Sequence, residues 1–122
     1  MATAPTQRRV LIVDDNVDGA AMIAALLELH GAVTKSAASG EEALQIAPTF
    51  RPDIVFIDIG MPAMDGFAVL SEMKKLPVVR DARFVALTAW GHGQIGERVK
   101  AAGFAHHIQK PASITTLLNE VL

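Results

Sequence analysis

Five residues with acid, ammonium or hydroxyl side chains fall at the ends of short apolar runs: Asp14, Asp15, Asp58, Thr88 and Lys110. "VLIV" (10–13) leads into Asp14 and Asp15, "IVFI" (54–57) into Asp58, and "FVAL" (84–87) into Thr88. Lys110 closes a weaker segment (105–109) and is followed by Pro111. Runs of this kind suit strands buried on both faces. In open parallel sheets ligands bind outside the carboxyl ends of the strands, so parallel pairing would bring all these side chains to one edge. Three carboxylates there repel one another. A like-charged pair ~4 Å apart costs on the order of 4 kcal/mol at an effective dielectric near about 20. A divalent cation or the Lys110 ammonium offsets that cost, and an all-oxygen ligand set favours a hard ion such as Mg²⁺. A carboxylate beside such an ion, with an ammonium and a hydroxyl nearby, can accept a phosphoryl group. The aspartate oxygen attacks, and the cations neutralise the phosphoryl oxygens. Taken singly, a strand-end Asp is more often a helix cap or turn former, and Asn16 reads as a cap. The coincidence of chemistry-bearing residues on corresponding strand ends favours function.

The elements that must position these residues alternate. Weaker strand patterns lie at 32–37 and 105–109. Between the strands, 17–30 is rich in Ala, Leu and Met and stops at Gly31, a natural helix end. Ser39 and Glu42 form an S-x-x-E capping box. Residues 66–75 place Phe67 and Leu70 on one face, with Lys74 and Lys75 in the last turn. Ile95, Val99 and Ala102 share a face, and after Ser113 as N-cap Ile114, Leu117, Leu118 and Val121 recur at helical spacing. Strand and helix alternate about five times, which argues for an α/β fold with a parallel sheet covered on both faces. The expected organisation is a short tail over 1–8 and one domain over 9–122. No effector domain is expected after the final helix.

Together these residues resemble a response-regulator receiver domain of two-component signalling. The likeness runs from "VLIVDDN" through "DIVFIDIGMPAMDG" and "FVALTAW" to "HHIQKP". It implies a flavodoxin-like, doubly wound five-stranded sheet of order 2-1-3-4-5. It implies that Asp58 receives phosphate from a histidine kinase or a histidine phosphotransfer protein. Mg²⁺ would be held by Asp15 directly, by Asp14 largely through water, by Asp58 and by the Gly60 carbonyl. Lys110 would contact the phosphoryl group and be joined to Pro111 by a cis bond. Thr88, with the backbone N–H of Ala89, would bind the phosphoryl oxygens and shift inward. The resulting switch would alter contacts with a downstream protein, and the last two strand–helix units would form the partner or homodimer surface. Two positions depart from the family pattern. His107 stands where Tyr or Phe is common and changes rotamer with the threonine; here it is either a half-exposed histidine or a switch that responds to pH. "KPAS" lacks the aromatic that follows K-P in many transcription-factor receivers, which fits a stand-alone or hybrid-kinase receiver better.

Composition narrows the alternatives. A chain of 122 residues supports one core. A net charge of -2 gives no reason to expect nucleic-acid or membrane binding. The absence of cysteine excludes disulfides, thiolate metal sites and cysteine nucleophiles. No signal peptide and no bilayer-length apolar run are present, so a cytoplasmic location is expected. A Mg²⁺-dependent phosphatase with an aspartyl nucleophile would carry D-x-D rather than the adjacent acids here. A receiver-like binding module without phosphorylation would not need the full acidic, Thr and Lys set. Gly91, Gly93 and Gly96 spell G-x-G-x-x-G, but after the fourth strand pattern rather than the first. Thr115 and Thr116 stand where the ribose-binding acid belongs. The glycines are read as loop flexibility between strand and helix. Trp90, two residues after Thr88, is a loop aromatic that could limit water access. Met61 and Met64 are expected to pack the loop after Asp58.

Overall fold

The computed structural model describes residues 7–61, 64–89 and 94–121. Strands and helices alternate without exception: β1 (Arg9–Val13), α1 (Val17–Glu28), β2 (Val33–Ala37), α2 (Gly40–Phe50), β3 (Ile54–Asp58), α3 (Gly66–Met73), β4 (Arg83–Thr88), α4 (Gln94–Ala102), β5 (His106–Gln109) and α5 (Ile114–Val121). The five strands form one parallel sheet of order β2-β1-β3-β4-β5, as the resemblance implied. The doubly wound arrangement follows from the sequence pattern. β1 and β3 are buried nearly throughout, as apolar runs without alternation require.

Two apolar layers sandwich the sheet. Leu11, Val13, Val55, Ile57 and Ala86 pack with α2, α3 and α4 residues such as Ala43, Leu70 and Val99. Val10, Ile12, Phe56, Val85, Leu87 and Ile108 pack with α1 and α5 through Leu27, Leu117 and Val121. Alternate residues of each strand serve opposite layers. The two faint strand signals, β2 and β5, are the sheet edges. β2 is largely open along its length, and only Ala37 is buried, so its sequence carries less apolar signal.

The helix starts follow local capping chemistry. Asn16, Ser39 and Asp65 each accept a backbone N–H three residues on, from Gly19, Glu42 and Ala68. Glu42 closes the capping box on the N–H of Ala38 at 2.6 Å. The Asp65 cap has the same chemistry but was not singled out in the sequence. α1 ends at Glu28, before the expected 30, because the chain tightens into Leu27 and Glu28 carbonyl bonds and then turns at Gly31 with φ 95°. α3 ends at Met73 rather than Lys75 for the same reason, with Lys75 N–H bonding back to Glu72. Gly96 corrects the loop reading of the glycine motif. It lies inside α4, where a Cβ would meet nothing within 4 Å. Gly91, Gly93 and Trp90 lie outside the described residues.

Candidate functional site

The carboxyl ends of β1, β3, β4 and β5 form one cluster. Asp14 and Thr88 are almost fully buried, at 2% and 1% exposure, and Asp58 is 8% exposed. The sheet ladder holds their backbones. Asp14 N–H donates to Ala37, Ile59 N–H to Leu87, and Lys110 N–H to Thr88, each to the carbonyl at 2.8–3.0 Å. The Lys110–Pro111 bond is cis. Candidate oxygens of Asp14, Asp15 and Asp58 all lie within 4.8 Å of one another. Lys110 Nζ donates to Asp14 Oδ2 at 2.7 Å and to Asp58 Oδ2 at 3.1 Å. One ammonium thus bridges two buried carboxylates, while Asp15 stands exposed beside them.

The second oxygens are also held. Asp14 Oδ1 accepts the Asn16 N–H at 2.9 Å, and Asp58 Oδ1 accepts the Gly60 N–H at 2.8 Å. Both carboxylates are therefore fixed in orientation by a backbone donor two residues on. Partial burial alone would lower the Lys110 pKa. Its hydrogen bonds and attraction to Asp14 and Asp58 outweigh this and hold it above its ordinary value of 10.5. Lys110 stays charged near neutral pH.

The loop after Asp58 is tightly built. A Cβ on Gly66 would lie 2.6 Å from the Ile59 Cα and 2.9 Å from the Asp58 carbonyl oxygen. The start of α3 therefore approaches the Asp58 backbone as closely as only glycine allows. Met61 is buried, and Met64 packs on Gly40 and Val69 with its sulfur 2.6 Å from where a Gly40 Cβ would sit. Both methionines pack the loop, as expected from the sequence.

Asp14, Asp15, Asp58, Thr88 and Lys110 all come together at this edge, with Gly60 two residues after the end of β3. Ala89 follows Thr88 and is exposed. His107 lies on β5, opposite Ala86 in the register, on the sheet face that α4 covers. It is half-buried, and its Nε2 is buried with no hydrogen-bond partner among the described residues. His106 points the other way. Its Nδ1 sits 2.6 Å from Glu120 Oε2 and 3.0 Å from the Arg83 guanidinium, tying β4, β5 and α5 together. No motif or spacing marks this cluster in the sequence, because its members lie far apart along the chain.

A mainly apolar groove of about 340 Å³ opens beside the cluster, lined by Asp14, Asn16, Met22, Ile23, Leu26 and Lys110 among others. A cleft of about 330 Å³ with Arg8, Asp53, Arg83 and Glu120 lies at the opposite edge of the sheet and plays no part in this chemistry.

A parallel, doubly wound sheet with three carboxylates and a bridging lysine at its carboxyl edge defines an α/β protein built around an acidic pocket. Residues 10–122 match the response regulator receiver domain, and the chain belongs to that family. It is 32% identical over 113 residues to sporulation initiation phosphotransferase F of Bacillus subtilis, covering 93% of this chain and 90% of that one. It is 35% identical over 118 residues to the transcriptional regulatory protein PdtaR of Mycobacterium tuberculosis, covering 96% of this chain but only 56% of the regulator. The crystal structure of Vibrio cholerae chemotaxis protein CheY4 superposes with a TM-score of 0.88 at 29% identity, covering 96% of this chain and 100% of that one. No helix among the described residues is long and apolar enough to cross a membrane.

Proposed function

We propose that Asp58 accepts a phosphoryl group from the phosphohistidine of a histidine kinase or histidine phosphotransfer protein, and that the product state alters contacts with a downstream protein. The observation that carries this reading is the Lys110 bridge between Asp14 and Asp58, with Asp15 completing an all-oxygen set. In the transfer an Asp58 oxygen forms the new P–O bond while the P–N bond of the donor breaks and its imidazole leaves.

The chain's own groups match the charges that develop. The Gly60 N–H orients the Asp58 carboxylate, and Lys110 lies against its other oxygen. On transfer Lys110 is close enough to follow the phosphoryl oxygens. Thr88 and the backbone N–H of Ala89, at the end of the neighbouring strand, complete the donor set by moving toward them. The Gly60 N–H and Lys110, already in place, stabilise charge without reorganisation of their own. Asp14, Asp15, Asp58 and the Gly60 carbonyl are the groups that would hold Mg²⁺, whose all-oxygen preference they fit. When bound, that ion neutralises the phosphoryl oxygens.

The added charge of roughly -1.5 to -2 provides the differential interaction that shifts a two-state equilibrium. Thr88 and His107 report that shift to α4, which buries only Val99 fully among its described side chains. The surface of α4, β5 and α5 then serves a protein partner or a second copy, in a cytoplasmic setting.

The test is intact-mass measurement after incubation with phosphoramidate or acetyl phosphate and Mg²⁺. One phosphoryl addition that disappears in Asp58→Asn supports the reading. Labelling that persists in that variant, or steady turnover of phosphate esters, overturns it.

A further inference from the structure

We propose that Asn16 is a positioning residue for the acidic pocket, setting the Asp14 carboxylate for cation binding through the capped first turn of α1. The inference rests on the proposed Mg²⁺-dependent phosphoacceptor chemistry and assigns a role to a residue outside the acidic, Thr and Lys set.

Asn16 makes two bonds in opposite directions. Its backbone N–H donates to Asp14 Oδ1 at 2.9 Å, and its side-chain oxygen accepts the Gly19 N–H at 3.0 Å. Asn16 is extended, with φ -81° and ψ 93°, and its φ sets the peptide that carries this N–H relative to the first turn of α1. The second holds that conformation, because a cap residue must leave the helical region for its side chain to reach back over the first turn. The side-chain bond therefore holds the backbone donor in place, and the donor holds Asp14. With Oδ1 fixed, Oδ2 is presented to Lys110 at 2.7 Å, on the pocket side.

Gly19 supports the same assignment. Glycine inside a helix costs about 1 kcal/mol relative to alanine, so its place in the first turn of α1 needs a reason. A Cβ at Gly19 would lie 3.1 Å from Asn16 Nδ2 and 3.2 Å from its Cγ. A side chain there would sit tight against the Asn16 carboxamide. Asn16 and Gly19 both line the groove that opens beside Asp14 and Lys110, so the pair forms the wall between α1 and the pocket.

Mg²⁺ affinity is read by isothermal titration calorimetry on the full chain, beside the melting temperature. Gly19→Ala improves the intrinsic helix propensity of α1 and only crowds the Asn16 carboxamide, since Asp65 caps α3 with alanine at the matching position. It is expected to keep Mg²⁺ affinity within about twofold of the parent while the melting temperature holds or rises. Asn16→Gly removes the carboxamide at little cost in stability and is expected to weaken Mg²⁺ binding by about fivefold. Asn16→Ser restores a capping oxygen and is expected to return affinity to within about twofold of the parent. Ser39→Ala removes the cap of α2, whose side chain bonds only the Glu42 N–H and none of the carboxylates, and is expected to lower the melting temperature with no change in Mg²⁺ affinity. The inference is overturned if Asn16→Gly binds Mg²⁺ as the parent does. It is also overturned if Ser39→Ala weakens binding as much as Asn16→Gly. A parent chain that binds no Mg²⁺ would instead overturn the cation-dependent reading on which the inference rests.

Discussion

Neutralising Asp58 should stabilise the fold, whereas removing the lysine beside it should destabilise it. Asp58 loses one attraction and two repulsions when changed to Asn. At an effective dielectric near about 20, the 3.1 Å contact with Lys110 is worth about 5 kcal/mol. Two carboxylates with oxygens within 4.8 Å each repel Asp58 by about 3.5 kcal/mol or more, and the exposed Asp15 counts for about half of that after solvent screening. The charge terms then nearly cancel, at about 5 kcal/mol each. What remains is the cost of holding an ionised carboxylate at 8% exposure, offset in part by the one acceptor that the Asn carboxamide loses against Lys110 or the Gly60 N–H. Asp58→Asn is therefore expected to stabilise the metal-free protein by about 1 kcal/mol, raising its melting temperature by about 3–5 °C. Lys110 keeps Asp14 in that variant, so no buried charge is orphaned. Lys110→Met leaves both buried carboxylates without their shared partner. Breaking such a pair costs about 3–5 kcal/mol, taken at the low end of about 3 because Lys110 remains a quarter exposed. Thermal and urea denaturation by circular dichroism, in chelator and at low salt, measures both variants. Adding Mg²⁺ at about a hundredfold above its Kd should stabilise the parent by about 2.7 kcal/mol and Asp58→Asn by much less. A destabilised Asp58→Asn, or a Lys110→Met change below about 0.5 kcal/mol, would refute the charge reasoning.

Because the folded-state pKa of Lys110 is raised, its contribution to stability is fully present below its ordinary value of 10.5 and is lost as pH rises through the higher folded value. The stability gap between the parent and Lys110→Met should therefore be flat through neutral pH and close in strong alkali, as denaturant titrations at several pH values would show. His107→Phe removes a buried nitrogen that has no partner among the described residues. It should stabilise the fold by about 1 kcal/mol, and a lowered urea midpoint would count against that. Gly66→Ala must displace Ile59 or the Asp58 carbonyl. It should cost about 2 kcal/mol or more and slow phosphorylation from small donors, both measurable on one preparation.

The positions of Asp14, Asp58 and Thr88 were legible in the sequence because each follows an apolar run, and Lys110 because it closes the last strand pattern before Pro111; a parallel sheet brings such strand ends together. The Asn16 and Ser39 caps were legible because capping is local chemistry. β2 and β5 were faint because edge strands keep polar residues such as Lys35 and Gln109 in solvent. The bridge from Lys110 to both Asp14 and Asp58 spans 96 and 52 positions along the chain, and no spacing rule encodes it. The same holds for the Arg83, His106 and Glu120 cluster. The need for glycine at 66 became visible only once Ile59 stood against it. At Gly96 the motif misled, since pattern matching cannot tell a loop glycine from one on the open side of a helix.

The central claim is that a phosphoryl group is carried on the Asp58 carboxylate, and borohydride trapping tests it most directly. Reduction of an acyl phosphate converts that aspartate to homoserine, which peptide mass spectrometry locates by position. After treatment with phosphoramidate and Mg²⁺, the account expects homoserine at position 58 and at no other acidic residue, with the signal lost when the metal is chelated. Homoserine at position 14 or 15, or a stable phosphate elsewhere in the chain, would contradict it.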